Sequence, residues 1–89
     1  MTVRWLRVAA EDLTRLLAAQ PSRQAQRDFL LKLRQALAGL DTRPPPAKSG
    51  RVPGTYELTL PDWPYLIAYR RLRVDAVLML RLLPLRRRF

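Results

Sequence analysis

The sequence contains no cysteine and no histidine. Without cysteine there is no disulfide and no thiolate zinc site, and a reducing compartment is compatible. Without histidine the commonest general base and the commonest metal ligand are both missing. Chemistry by this chain would have to run on Arg, Lys, Tyr or a carboxylate. Only three glycines occur, Gly39, Gly50 and Gly54, too few and too scattered for a phosphate-cradling loop. The seven carboxylates are scattered too, and form no metal cluster and no glycosidase-like pair. No metal or other cofactor is therefore expected. No leader or membrane span is expected either, since the apolar stretch Ala76 to Leu83 is short and interrupted by Arg81. A cytoplasmic protein is the resulting expectation.

What is abundant is arginine. Seventeen Lys and Arg face seven Asp and Glu, for a net charge of +10, and fifteen of the seventeen cations are Arg. The planar guanidinium suits carboxylate, phosphate and aromatic faces better than an ammonium does. A field of this sign draws nucleic acid or an acidic protein, and charge alone does not say which. With 89 residues and 48% hydrophobic content, the chain is expected to form one domain, residues 1–89, with a modest core.

Periodicity along the chain predicts the order strand, helix, helix, strand, strand, strand. Val3 and Trp5 alternate with Arg4 in a first strand, Thr2 to Val8. A helix is predicted from Ala9 to Gln20, with the stripe Leu13, Leu16, Leu17 and with Glu11 and Asp12 in its first turn. Pro21-Ser22 interrupts and restarts the chain. A second helix to Leu40 keeps a 3.6-residue period through Ala25, Phe29, Leu33, Ala36, Leu37 and Leu40. Residues 41–53, with Pro44-Pro45-Pro46, read as a loop. Tyr56, Leu58 and Leu60 then alternate with polar neighbours. Pro61 to Pro64 is a predicted turn, Tyr65 to Leu72 a strand, and Ala76 to Leu83 a central strand apolar on both faces. Residues 84–89 form a basic tail. The expected fold is α+β, with a helical hairpin on one face of a mostly antiparallel sheet made from the first strand and a three-stranded meander. Trp5, Trp63, Tyr56, Tyr65 and Tyr69 are read as packing residues. Arg81, a cation inside an apolar strand, must reach an edge or meet a specific partner.

Three segments in this order resemble the ParE branch of the ParE/RelE toxin superfamily. They are Arg51-Val52-Pro53-Gly54-Thr55-Tyr56-Glu57-Leu58-Thr59-Leu60, then Pro64-Tyr65-Leu66-Ile67-Ala68-Tyr69-Arg70, then Leu80-Arg81-Leu82-Leu83-Pro84-Leu85-Arg86-Arg87. Ala10-Glu11-Asp12-Leu13 and the second helix fit more loosely. The resemblance implies a toxin of a type II toxin–antitoxin system. RelE-like members cut messenger RNA on the ribosome, ParE-like members inhibit DNA gyrase, and an antitoxin neutralises both. The lysine positions of the RNA-cutting relatives fall on Glu57 and Thr59 here, and a further arginine position falls on Leu66. A carboxylate and two uncharged side chains cannot stabilise a phosphorane, which favours gyrase inhibition by binding, with no bond broken by this chain. Many ParE-like chains carry a histidine where Pro84 stands, and a proline there should end or kink the last strand at Leu83.

Target contacts are expected at Arg51, Arg70 and Arg81, as a basic surface across neighbouring strands, and at Arg86, Arg87 and Arg88. The alternatives are ordinary pairing of the first three with Glu57, Asp62 or Asp75 and a solvated basic tail. Antitoxin contacts are expected on the helices at Leu17, Phe29, Leu33 and Leu37, with an antitoxin strand on an exposed sheet edge. Partners would be a cognate antitoxin and DNA gyrase, with nucleic acid met indirectly or weakly and no membrane. Two other readings stay open: a ribosome-dependent nuclease using Arg70, Arg81, Arg86 and Arg87, and a non-toxic binding module.

Overall fold

The computed structural model describes residues 1–41 and 47–85. The elements are β1 (Thr2–Trp5), α1 (Arg7–Ala18), α2 (Arg23–Ala38), a 3-10 turn (Gly39–Asp41), β2 (Lys48–Ser49), β3 (Thr55–Leu60), β4 (Trp63–Arg73) and β5 (Ala76–Pro84). The strands form one sheet in the order β1-β5-β4-β3-β2. The α+β architecture with a helical hairpin is as the periodicity indicates.

Several boundaries differ from the sequence reading, each for a physical reason. The sheet has five strands, because Lys48 and Ser49, inside the stretch read as loop, pair with Glu57 and Tyr56. The sheet is mixed, because β1 runs parallel to β5 while the other pairs are antiparallel. α1 starts at Arg7, so Glu11 and Asp12 lie beyond its first turn, which holds no carboxylate. Asp12 instead shares a buried stripe with Ala9 and Leu16, three and four residues away. β4 begins at Trp63, so the turn between β3 and β4 shrinks to Pro61 and Asp62, with Asp62 at φ 62°. Aspartate tolerates that left-handed backbone better than most residues. β5 continues through Pro84 and does not stop at Leu83. The Leu85 amide donates to Pro64 O at 2.9 Å. Amides alternate in direction along a strand, so position 84 faces the edge away from β4, where a missing N–H breaks no ladder bond.

Both helices cover one face of the sheet. Ala9 and Leu16 of α1 and Phe29, Leu33 and Ala36 of α2 join Leu40, Leu58, Trp63, Ile67, Tyr69, Val77, Met79 and Leu82 in one core. Trp5, Tyr56 and Tyr65 pack against it half-buried. Tyr69 is fully buried and stacks on Tyr56 with ring centroids 5.5 Å apart. Burial also pushes its phenol above the ordinary value.

The hairpin itself is held by polar caps. Ser22 is the N-cap of α2, and its Oγ accepts from the Ala25 amide at 3.1 Å. The Gln26 side chain donates to Leu17 O at 3.0 Å, and Gln20 Nε2 donates to both Leu16 O and the Tyr65 hydroxyl at 3.0 Å. Ser22→Ala leaves one helix-terminal amide to water and is expected to cost about 1 kcal/mol, or roughly 4–8 °C in Tm. Thermal unfolding against Ser22→Asp, which keeps an acceptor, checks this; equal melting of both variants would deny the cap its role.

Candidate functional site

The chain turns into α1 directly after β1, with Leu6 N–H on Met79 O at 3.0 Å as the last backbone tie between them. Beyond Met79 the outer edge of β5 has no strand partner among the described residues. Asp12, on the face of α1 that meets β5, takes that edge: its Oδ2 accepts from the Leu82 amide at 3.0 Å. β5 also bulges here, since Ala68 pairs with Arg81 and Tyr69 with Met79, leaving Leu80 as the extra residue. A bulge re-aims the side chain beside it. Arg81 turns to Asp12, donating from Nε at 2.8 Å and Nη2 at 3.1 Å. Arg15 Nη2 adds a third charged donor at 2.6 Å.

Asp12 is only 1% exposed and carries four hydrogen bonds. The Arg81 hydrogen bonds outweigh the burial penalty and hold its carboxyl at about 2, below the ordinary 3.8, with the Leu82 amide and Arg15 helping. This answers the question set by a cation inside an apolar strand: Arg81 both reaches an edge and meets a specific partner. The Arg81 side chain is 43% exposed, and its guanidinium is committed to that partner through two hydrogen bonds.

The face of the sheet opposite the helices is built by alternation. Val3 and Trp5 pack on the core, so Arg4 between them points away. Leu78 lies between buried Val77 and Met79, and Arg70 follows buried Tyr69. The register lines up Arg4, Leu78, Arg70 and Thr55 in one row across β1, β5, β4 and β3. The next rows towards the other end hold Arg81, Ala68, Glu57 and Lys48, then Leu83, Leu66 and Thr59. Glu57, Thr59 and Leu66 thus share the uncovered face, with Thr59 directly opposite Leu66.

The predicted site residues do not come together as one set. Arg51 is exposed just after β2, and Arg70 is exposed on the uncovered face. Arg86, Arg87 and Arg88 lie outside the described residues. On the helices, Phe29 (3% exposed) and Leu33 (4%) are interior, and Leu17 and Leu37 are half-buried against the core. The exposed leucines of α2 are its neighbours Leu30 and Leu31, which form a shallow apolar groove with Gln24, Arg27, Asp28 and Arg34.

Sequence reasoning missed Arg4 and Asp12. A signal existed for each: Arg4 alternates with two apolar residues, and Asp12 falls at core spacing from Ala9 and Leu16. Among the described residues no group of three or more Asp and Glu is placed to hold a metal ion. None of the described helices is long and apolar enough to cross a membrane.

Comparison with known proteins supplies the context for this surface. Residues 3–89 match the family model described as ParE toxin of type II toxin-antitoxin system, parDE. A solved structure described as the chromosomal ParDE TA system from P. aeruginosa shares the fold, with a TM-score of 0.64, 23% identity and 97% of each chain covered. No curated protein matches the chain significantly.

Proposed function

The chain belongs to the ParE toxin family of type II toxin–antitoxin systems, and from that premise we propose that it inhibits DNA gyrase by binding it and is neutralised by a cognate antitoxin. The observation that carries the choice of gyrase over RNA cleavage is the uncovered face of the sheet. At the positions where RNA-cutting relatives hold cations, it presents Glu57, Thr59 and Leu66, which share one face of β3 and β4. A carboxylate there repels the phosphate that a nuclease must stabilise. Lys48 stands directly opposite Glu57 in its row, and Arg81, two strands away, is tied to Asp12. The chain therefore acts by contact, with Arg51, Arg70 and the tail arginines Arg86, Arg87 and Arg88 meeting the target.

The antitoxin meets the helical hairpin and a sheet edge. On α2 the accessible apolar side chains are Leu30 and Leu31, with Arg27 and Arg34 beside them, and Leu17 and Leu37 contribute what they leave exposed. An amphipathic antitoxin segment with acidic flanks satisfies both charge and shape.

A gyrase supercoiling and DNA-cleavage assay with the purified chain tests the reading. Loss of supercoiling with accumulation of cleaved DNA, reversed by the co-expressed antitoxin, is expected. Unaffected gyrase together with cleavage of messenger RNA on programmed ribosomes would replace this reading with the nuclease one.

A further inference from the structure

One end of the uncovered sheet face concentrates cations, and Arg4, Arg51 and Arg70 among them have no ion-pair partner among the described residues. Arg4 and Arg70 flank Leu78 in the same row. Two strand spacings separate them, roughly 9.5 Å. Both are exposed, and neither forms an ion pair with another described residue. Arg4 and Arg73 together line a shallow depression of about 230 Å³ with Leu72 and Ala76. Arg51 stands at the same end, because the turn holding it closes where Gly50 N–H meets Thr55 O at 2.9 Å and Thr55 N–H meets Val52 O at 3.1 Å. The one carboxylate of the β4–β5 hairpin tip, Asp75, is taken by Arg73 at 3.2 Å. Glu57 lies one row further on, opposite Lys48.

We propose that this end of the sheet binds the phosphodiester backbone of duplex DNA, with Arg4 and Arg70 as the principal contacts and Arg73 and Arg51 at the flank. The inference rests on the gyrase reading, in which the target works on DNA, and it gives two of the arginines named there a ligand of stated chemistry. Arginine's fork grips a phosphate bidentately, and an unpaired exposed cation releases a condensed counterion when it does so. An acidic peptide is the competing ligand class. It suits the row less well, because Leu78, the only apolar side chain between Arg4 and Arg70, is half-buried, and exposed Leu72 at the depression is a single anchor away from Arg70. Such a contact is sequence-independent, and would let the toxin hold protein and DNA at once.

The test is fluorescence anisotropy of a short labelled DNA duplex against salt concentration, using the full chain. The double variant Arg4→Ala/Arg70→Ala is compared with Arg23→Ala/Lys32→Ala, which removes the same charge from exposed positions of α2. The first variant is expected to lose about tenfold in affinity and to flatten the log–log salt slope by about two. The second is expected to stay near wild type. All four side chains are exposed, and matching melting curves confirm that each variant folds. Equal losses in the two variants would overturn the proposal, because net charge alone would then explain binding. So would polyglutamate that tells the two variants apart while the duplex does not, because the surface would then be one for acidic peptides. No gyrase is present in this measurement, so its failure leaves the supercoiling assay to decide the inhibition reading independently.

Discussion

Asp12→Ala is expected to destabilise the domain by about 3 kcal/mol, enough to lower Tm by roughly 12–24 °C at this chain length. The carboxylate is 1% exposed and accepts from Arg81 twice, from Arg15 and from the Leu82 amide. Removing it leaves the Leu82 amide on a strand edge with no acceptor and two guanidiniums unpaired. Their partial exposure, 43% for Arg81 and 60% for Arg15, lets water recover part of the loss, which keeps the expectation towards the low end for a broken buried pair. Asp12→Asn keeps an acceptor but turns one donor towards the guanidiniums, and should fall between Ala and wild type. Arg81→Ala should cost nearly as much as Asp12→Ala, and the two losses should not add.

Acid gives the same information without mutation. Asp12 is held at about 2 in the folded chain against an ordinary 3.8, so its stabilisation is complete above that ordinary value and is lost as pH falls through about 2. The amount at stake is on the order of 2 kcal/mol. Urea unfolding at successive pH values should show a decline below pH 4 that is absent in Asp12→Asn. An identical decline in both proteins would mean that the carboxylate contributes nothing in this window.

Phe29→Ala should be at least as damaging, at about 3–5 kcal/mol. Phe29 is 3% exposed, and its ring sits edge-on to Tyr65 at 4.9 Å and tilted against Trp63 at 5.5 Å. Trp63 and Tyr65 are themselves 5.1 Å apart, so the three rings form one closed cluster joining α2 to the start of β4. Truncation removes two aromatic contacts and leaves a cavity that neither helix nor strand can close. Phe29→Leu should recover more than half of the loss. Denaturant melts monitored by Trp emission read this out. Were Phe29→Ala to melt like wild type while losing antitoxin affinity, the ring would belong to the partner surface and not to the core.

That last contrast marks where the sequence stops being informative. The period Ala25, Phe29, Leu33, Ala36, Leu37, Leu40 identifies an apolar stripe, but a stripe that packs on the chain's own sheet and one that waits for a partner look alike in one dimension. In the fold, Phe29 and Leu33 turn inward, and it is Leu30 and Leu31, off the stripe, that stay exposed. β2 was hidden for a related reason: two residues after a proline run carry no alternation, and only the adjacent edge of β3 makes Lys48 and Ser49 a strand. Leu80 defeats a period-two reading of β5 because a bulge inserts it opposite a single residue of β4.

Legible in the residues alone were the order of the helices and of every strand but β2, the α+β class, the place of β5 inside the sheet, and the packing of Trp63, Tyr56 and Tyr69 on the core. These are set by local periodicity and residue chemistry, which act over a few neighbouring residues. The tertiary structure decided the parallel docking of β1, the pairing of Asp12 with Arg81 across 69 residues, and the row that sets Arg4 beside Leu78 and Arg70. Those juxtapositions depend on strand order, on register and on a bulge, which are fixed only when distant segments bury their apolar faces together.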